Sequence, residues 1–214
     1  DKFLKNQIFS VLFSTFCLLI LINGSNFIDG INGLVIKYYL LIYILIFWNL
    51  NYFSFELELL LYLIIALIVV LIFNLSGYIF LGDSGSYLIS LFTGIFLINF
   101  SADNAAITPY LIIVLLWYPC FELLFSMIRR FLKKTKTYEP DTQHLHQLVY
   151  KFLKKKIYIK NDLVIHLITS SSINAYNLVS FVVALNYIYN SFIMLTILTI
   201  NITSYLILYK LLRK

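Results

Sequence analysis

The chain has 214 residues, of which 61% are hydrophobic and only 12% charged, and its formal net charge is +6. A mean hydropathy of +0.89 excludes an ordinary soluble globular domain, which is about half apolar and a quarter charged. The apolar residues form long blocks that can cross a hydrocarbon core about 30 Å thick. The composition therefore predicts an all-α, polytopic membrane protein with a single domain over residues 1–214.

Seven blocks are candidate membrane spans. The sixth is the weakest because polar residues interrupt it between positions 169 and 177. We expect its later half to lie in lipid and its earlier half to pack against protein. His166, alone in this block, is interpreted as a packed core residue. The seven predicted spans are residues 7–22, 34–49, 57–75, 86–100, 109–128, 162–186 and 191–209.

The distribution of lysine and arginine predicts the orientation. These residues concentrate in the loop 129–161 and at the C-terminus, whereas the connections 50–56, 101–108 and 187–190 contain none. The positive-inside rule therefore places loop 129–161 in the cytoplasm. Counting crossings puts the junctions 23–33 and 76–85 on the same side. The basic charge is thus a topology signal, and nucleic acid is not an expected partner.

The first polar junction combines a carboxylate, amides and glycines at the end of a predicted span. It contains Asn26, Asp29, Gly30, Asn32 and Gly33. Polar groups of this kind are costly near lipid and usually serve a function there. Glycine lets the backbone approach a ligand closely. A helix terminus that is merely capped and turned by these residues is an equally open interpretation.

The second junction places an aspartate between glycines and hydroxyls just before a predicted helix. Its candidate residues are Asn74, Phe80, Asp83, Gly85 and Ser86. Backbone N–H groups at a helix N-terminus attract phosphate, and a neighbouring aspartate can hold a magnesium ion that bridges phosphate oxygens. The alternative is a simple Asp or Ser helix cap.

The third constellation lies in the basic loop. Asp141, His144 and His146 follow Arg129 and Arg130 along the chain. Two histidines without a cysteine make a poor zinc site, so donors to a diphosphate fit better. An ordinary polar loop remains the alternative. If all three segments lie on one face, they fit a magnesium–diphosphate substrate at the membrane surface.

The three segments together resemble the polyprenyl-phosphate N-acetylhexosamine-1-phosphate transferase family. Residues 26–34 look like its Asn-x-x-Asp-Gly-x-Asp-Gly motif, and residues 80–86 look like its Phe-Met-Gly-Asp-x-Gly-Ser motif. Residues 119–146 are similar to its histidine loop in order and spacing. The family includes the bacterial undecaprenyl-phosphate GlcNAc-1-phosphate transferases and the phospho-MurNAc-pentapeptide translocase.

The resemblance implies roles for individual residues. Asp83 is the implied magnesium ligand, with manganese as the alternative ion. Phe80 is implied to stack on uracil, and Asn26 and Asp29 to line the nucleotide site. The implied catalytic residues are Asp29, Asp83, His144 and His146. The implied substrate-binding residues are Asn26, Gly30, Asn32, Gly33, Asn74, Phe80, Gly85, Ser86, Arg129, Arg130 and Asp141.

The resemblance also implies a reaction and a location. A polyprenyl phosphate oxygen attacks the β-phosphorus of a UDP-N-acetylhexosamine, which yields a polyprenyl diphosphate sugar and UMP. The enzyme would work in the bacterial inner (cytoplasmic) membrane in cell-envelope glycan assembly; the oligomeric state, including a homodimer, is left open. The identity of the sugar, the glycan pathway and the choice between direct displacement and a covalent intermediate stay open.

The chain departs from the family pattern in several places. Asn32 stands where the family often has Asp, Glu122 replaces an Asp, and Gln147 replaces a third His. The family's earlier aspartate-rich motif has no match, so we expect about four helices before Asp1 and hypothesise a fragment that is inactive alone. The remaining alternatives are a non-catalytic paralogue that binds polyprenyl carriers or nucleotide sugars, and an ion-coupled membrane transporter.

Overall fold

A computed structural model of the chain describes residues 6–49, 57–133, 141–157 and 159–213. Within these ranges the chain forms nine α-helices and no strand. The helices are α1 (Gln7–Ile28), α2 (Leu34–Trp48), α3 (Leu57–Leu75), α4 (Gly82–Asp103), α5 (Tyr110–Leu115), α6 (Trp117–Lys133), α7 (Leu145–Lys156), α8 (Asp162–Asn186) and α9 (Ser191–Leu212).

Five of these helices are long and apolar enough to cross a membrane: α1, α3, α4, α8 and α9. The predicted all-α, polytopic membrane class is therefore confirmed, but the number of seven spans is not reproduced in the described residues. Helix α2 is apolar but has only 15 residues, which corresponds to about 22 Å at 1.5 Å per residue.

The predicted span 109–128 is divided at Leu116 into α5 and α6. Pro119 explains the division because proline has no N–H to donate inside a helix. With the break at Leu116, Pro119 lies in the first turn of α6, where an N–H would have no partner within the helix.

Two predicted junctions are shorter than the sequence suggested. Helix α1 continues to Ile28, so Asn26 lies on its last turn rather than in a loop. Helix α4 begins at Gly82, so Asp83 belongs to its first turn. Gly33 and Gly82 have φ angles of 77° and 63°, a left-handed conformation that favours glycine. The glycines thus set the entry into α2 and into α4.

Helix α8 is continuous over its 25 residues despite its polar centre. Thr169, Ser170 and Asn174 are buried, and Asn174 Nδ2 donates to the carbonyl of Leu34 at the start of α2 (3.1 Å). The polar residues therefore face a neighbouring helix. The interpretation of His166 as a core residue was wrong. It is half-buried, and its Nδ1 accepts the N–H of Asn32 (3.1 Å) in the turn that precedes α2.

The connections gather at two opposite ends of the bundle. At one end, the connections 104–109 and 187–190 meet, where the N–H of Thr108 donates to the carbonyl of Ile188 (3.0 Å). The other end carries the turn 29–33, the start of α4, the end of α6, and α7. We call this second end the site face. It contains the polar motifs, as the predicted crossings required.

Close backbone contacts fix α1 in the bundle. A Cβ on Gly24 would lie 2.2 Å from the carbonyl oxygen of Pro119, and one on Gly94 would lie 2.4 Å from Leu18. The backbone contact of α1 with α6 therefore requires glycine at position 24, whereas a Cβ at Gly94 would displace the end of the Leu18 side chain. The C-terminal turn of α1 is held next to both elements that carry the other motifs.

Candidate functional site

Two carboxylates from different motifs lie together on the site face. Asp29 follows α1, and the backbone N–H of Gly82, next to Asp83, lies close enough to its carboxylate to lower its pKa. Burial is the main cause that raises the pKa of Asp29 to about 7; the Gly82 N–H opposes this increase, and the negative charge of Asp83 adds to it. Asp29 and Asp83 therefore form an electrostatically coupled carboxylate pair.

Asn26 connects the two motifs through its side-chain amide. Its Oδ1 accepts from Ser86 Oγ (3.3 Å), and its Nδ2 donates to the hydroxyl of Tyr87 (3.3 Å). Ser86 Oγ also reaches the carbonyl of Asp83 (3.1 Å). The last turn of α1 is thus tied to the first turn of α4, which brings the carboxylate pair together.

Asn74 and Asn32 hold the turn that enters α2. Asn74 Oδ1 accepts the N–H of Gly33 (2.6 Å), and its Nδ2 donates to the carbonyl of Ile79 (3.1 Å). Asn32 Nδ2 donates to the carbonyl of Asn74 (3.0 Å). In this structure both amides are engaged with the protein backbone, so they order the two motif turns.

Glu122 anchors the histidine segment, by which we mean residues 141–147. It is fully buried, and its two oxygens have different partners. Oε1 lies 2.9 Å from Nδ1 of His144, and Oε2 accepts the hydroxyl of Tyr205 at 2.8 Å. The carboxylate therefore orients His144 and connects the segment to α6 and α9.

Arg129 is the second anchor of this segment. Its Nη2 donates to Ser126 Oγ (2.8 Å) and pairs with the carboxylate of Asp141. Its Nη1 donates to the hydroxyl of Tyr209 (2.8 Å) and to the carbonyl of Gln143. The guanidinium is thus engaged on both nitrogens by the protein, and it fixes the start of the histidine segment.

His146 is fully buried, and neither ring nitrogen has a hydrogen-bond partner within the described part of the chain. Its ring stacks on His144 with centroids 5.6 Å apart. A Cβ on Gly30 would lie 2.7 Å from Nε2 of His146. Burial lowers the pKa of His146 to about 4, so the ring is neutral near pH 7. A buried polar side chain without partners therefore faces the first motif.

The remaining predicted residues lie on the same elements. Phe80 is 80% exposed before the start of α4. Gly85 packs against Leu81, whose Cδ1 would lie 2.6 Å from an added Cβ. Arg130 is half-buried in the last turn of α6. The structure thus brings Asn26, Asp29, Gly30, Asp83, Ser86 and His146 to one place, whereas Arg129, Asp141 and His144 support the histidine segment.

The donor set is compatible with magnesium. No group of three or more His, Cys, Asp or Glu side chains that could hold a metal occurs in the described ranges. Magnesium, however, is commonly bound by one or two carboxylates together with substrate phosphates. Asp29 and Asp83 repel each other, and a cation would relieve this repulsion. The carboxylate pair therefore fits magnesium.

Several contributing residues were missed by the sequence reasoning. Tyr87, Tyr205 and Tyr209 bond to predicted site residues or to their anchors. Each lies in an apolar block, where a tyrosine has no local mark that separates it from ordinary core or interfacial residues. Only the packing of distant helices reveals these contacts.

The fold and the site together define a class. This is a multi-pass helical membrane protein with an acidic, glycine-bounded site at one end of its bundle. Residues 2–101 match the model of the family described as glycosyl transferase family 4. This is the family of polyprenyl-phosphate hexosamine-1-phosphate transferases, and the match bears out the resemblance of the first two motifs to it. No curated protein and no solved structure matches the chain.

The matched region contains both motifs of the carboxylate pair, residues 26–34 and 80–86. The histidine segment lies beyond it. Its connection with the first motif therefore rests on the packing of Gly30 against His146 and on the edge contact of Phe27 with His144, whose ring centroids are 5.3 Å apart.

Proposed function

We propose that the protein transfers an N-acetylhexosamine-1-phosphate from a UDP-sugar to a polyprenyl phosphate and releases UMP. The observation that carries this proposal is the carboxylate pair, in which Asp29 and Asp83 come together from the two motifs of the matched region. A diphosphate donor and a lipid phosphate acceptor can meet only at a membrane surface, and the pair lies at one end of the bundle.

The first turn of α4 is suited to phosphate. Its N–H groups have no partners inside the helix and carry a partial positive charge. Asp83 lies in this same turn, so phosphate oxygens and a cation can be bound side by side. Asn26 holds Ser86 in place through the hydrogen bond described above, which keeps this turn against the end of α1.

Asp29 and Asp83 are the residues that would hold magnesium. The ion, when bound, stabilises the negative charge that develops on the phosphoryl oxygens. The chain's own groups position the substrate. The exposed ring of Phe80 is available to stack on uracil, and neutral His146 can donate one hydrogen bond from a ring N–H. Gly30 leaves room for His146 to come close to the turn.

The positions of the carboxylates argue against an ion-coupled transporter. Such proteins hold their ions near the bilayer midplane on interrupted helices. Asp29 follows the last residue of α1, and Asp83 lies in the first turn of α4, so both are at helix ends. We further propose that the site face is cytoplasmic, in a bacterial inner membrane, because the lysine-rich α7 and the end of α9 lie there.

The proposal is tested by magnesium-dependent UMP release from membranes that contain the full-length protein, with UDP-GlcNAc and undecaprenyl phosphate as substrates. Asp83→Asn should reduce the rate by at least about a hundredfold, because it removes a charge that acts on the transferred phosphoryl group. Asp103→Asn is the matched control, since Asp103 is an exposed aspartate at the opposite end of α4.

Equal rates for both variants would exclude the carboxylate pair from the reaction. Absence of release with every UDP-N-acetylhexosamine, from protein that is folded, would favour the non-catalytic paralogue. Variation of the donor sugar in the same assay identifies the hexosamine.

A further inference from the structure

Lys37 is a basic residue inside an apolar helix. It lies in the first turn of α2, one turn after Gly33, and is half-buried. Its Nζ donates to the hydroxyls of Ser170 and Ser171 on α8, both at 2.9 Å. No ion pair of Lys37 with a carboxylate occurs in the part of the chain that the structure describes. A charge so close to lipid is costly when only neutral groups compensate it.

Lys37 stands at one end of a groove between α2 and α8. The groove has a volume of about 280 Å³ and apolar walls, which include Leu40, Ile44 and Leu178. Ile44 and Leu178 are exposed on the outside of the bundle. The mouth of the groove therefore lies on the outer surface of the described helices and is apolar, as a lipid-facing surface is.

A second polar group in the wall of this groove lacks a partner. Asn174 is 3% exposed, and its Oδ1 has no hydrogen-bond donor among the described residues. Its Nδ2 is already used by the carbonyls of Leu34 and Ser170. An uncompensated cation and an unpaired acceptor thus line the same apolar groove, which is unusual for a surface that only faces acyl chains.

The position of Lys37 indicates the depth in the membrane at which a ligand would bind. The Cα–Cβ bonds of a helix point towards its N-terminus, and long basic side chains extend to the membrane interface. Lys37 therefore points from α2 back towards the site face, at the level where lipid headgroups lie. Basic pockets between transmembrane helices at this level bind anionic headgroups.

We propose that the groove between α2 and α8 binds one anionic phospholipid. The phosphodiester of the lipid pairs with the ammonium of Lys37. The hydroxyls of Ser170 and Ser171 hold this ammonium in position, and one acyl chain fills the apolar groove. A phosphatidylglycerol headgroup also has hydroxyl groups, which are the donors that Asn174 Oδ1 lacks. The inference uses only the position of the helices in a membrane and does not depend on the proposed reaction.

The test measures binding of dioctanoyl phosphatidylglycerol to the delipidated protein in neutral detergent by native mass spectrometry. Dioctanoyl phosphatidylcholine tests the charge, and glycerol 3-phosphate tests the contribution of the acyl chain. Lys37→Gln removes the cation, and Ala175→Trp fills the groove from α8. Lys210→Gln is the matched control, because Lys210 is an exposed lysine on α9.

We expect one phosphatidylglycerol to bind, and Lys37→Gln to weaken it about fivefold, as expected for one lysine at an anionic surface. Ala175→Trp should abolish binding, and Lys210→Gln should leave it unchanged. If Lys37→Gln does not fold, Ala175→Trp decides. Equal binding of phosphatidylcholine, equal binding of glycerol 3-phosphate, or full binding by either groove variant would overturn the proposal.

Discussion

Arg129 provides the sharpest test of how the histidine segment is held. Its two Nη atoms engage four acceptors, which belong to Ser126, Asp141, Gln143 and Tyr209. These acceptors come from α6, from the segment itself and from α9. The substitution Arg129→Lys keeps the charge but replaces a planar fork by a single ammonium.

The cost of this substitution follows from the geometry. The lysine side chain is shorter and ends in a single ammonium. This ammonium cannot reach the acceptors on both sides of the position that the guanidinium occupies, so at least two of the four hydrogen bonds are lost. At about 1 kcal/mol for each buried hydrogen bond, the free energy of unfolding should fall by about 2 kcal/mol. The Arg129 side chain is only 6% exposed, so water cannot replace the lost partners.

The assay is unfolding of the protein in detergent by sodium dodecyl sulfate, followed by helix content. Arg213→Lys serves as the control, because Arg213 is exposed after α9, and its change should stay within about 0.5 kcal/mol. A value for Arg129→Lys equally close to wild type would refute the reasoning that this arginine holds the segment.

The stability of the wild-type protein should also depend on pH. Burial raises the pKa of Asp141, but the N–H of Gln143 and the charges of His144 and Arg129 outweigh it, so this pKa lies below its ordinary value. A lowered pKa stabilises the folded state above the unfolded value of about 3.9. This stabilisation is lost as the pH falls through the lower folded value. The free energy of unfolding of the wild-type protein should therefore fall as the pH decreases below about 4, and no change with pH in this range would contradict the lowered pKa of Asp141.

Three further predictions concern the glycines and Asp29. Gly24→Ala puts a methyl group 2.2 Å from the carbonyl oxygen of Pro119, so the free energy of unfolding should fall by about 1–3 kcal/mol. An unchanged free energy of unfolding would contradict the close packing of α1. Gly30→Ala should slow UMP release on the order of tenfold to a hundredfold, because the methyl group displaces the turn from buried His146. A wild-type rate would contradict this contact. Because the pKa of Asp29 is about 7, protons should compete with magnesium, so the half-saturating magnesium concentration should fall about tenfold from pH 6 to pH 8. No change with pH in that titration would show that Asp29 does not bind the ion.

Composition and motif spacing were enough to predict the class of protein and the position of the motifs at one end of the helical bundle. Long apolar blocks predicted helices that cross a membrane, and the alternation of spans predicted that residues 26–34 and 80–86 share one face. Both follow from local properties, namely the length of a hydrophobic run and the position of lysines. The proximity of Asp29 to Gly82 and Asp83 agrees with that prediction.

The supporting contacts could not be predicted in this way. The roles of Glu122 and Arg129 depend on Tyr205 and Tyr209, which lie about 80 residues further along the chain. No periodicity in the sequence encodes which tyrosine of an apolar helix faces a buried carboxylate. The division at Leu116 had a local signal in Pro119, but the hydropathy of the block outweighed it in the prediction.

The hydrogen bonding of Lys37 to α8 is another contact that the sequence alone did not predict. A lysine in the first turn of an apolar helix was visible in the sequence, as were the serines at 170–172. Their contact required the packing of α2 against α8, which hydropathy does not specify. Such pairs of polar residues inside apolar blocks are the signal that could have found the groove.

The central claim is that Asp29 and Asp83 act as one site. It is tested most directly by a double-mutant cycle on magnesium-dependent UMP release, with Asp29→Asn, Asp83→Asn and the double variant. Residues that act as one unit are not additive, so the double variant should be no slower than the slower single variant. Losses that multiply would show that the two carboxylates act independently and would contradict the account.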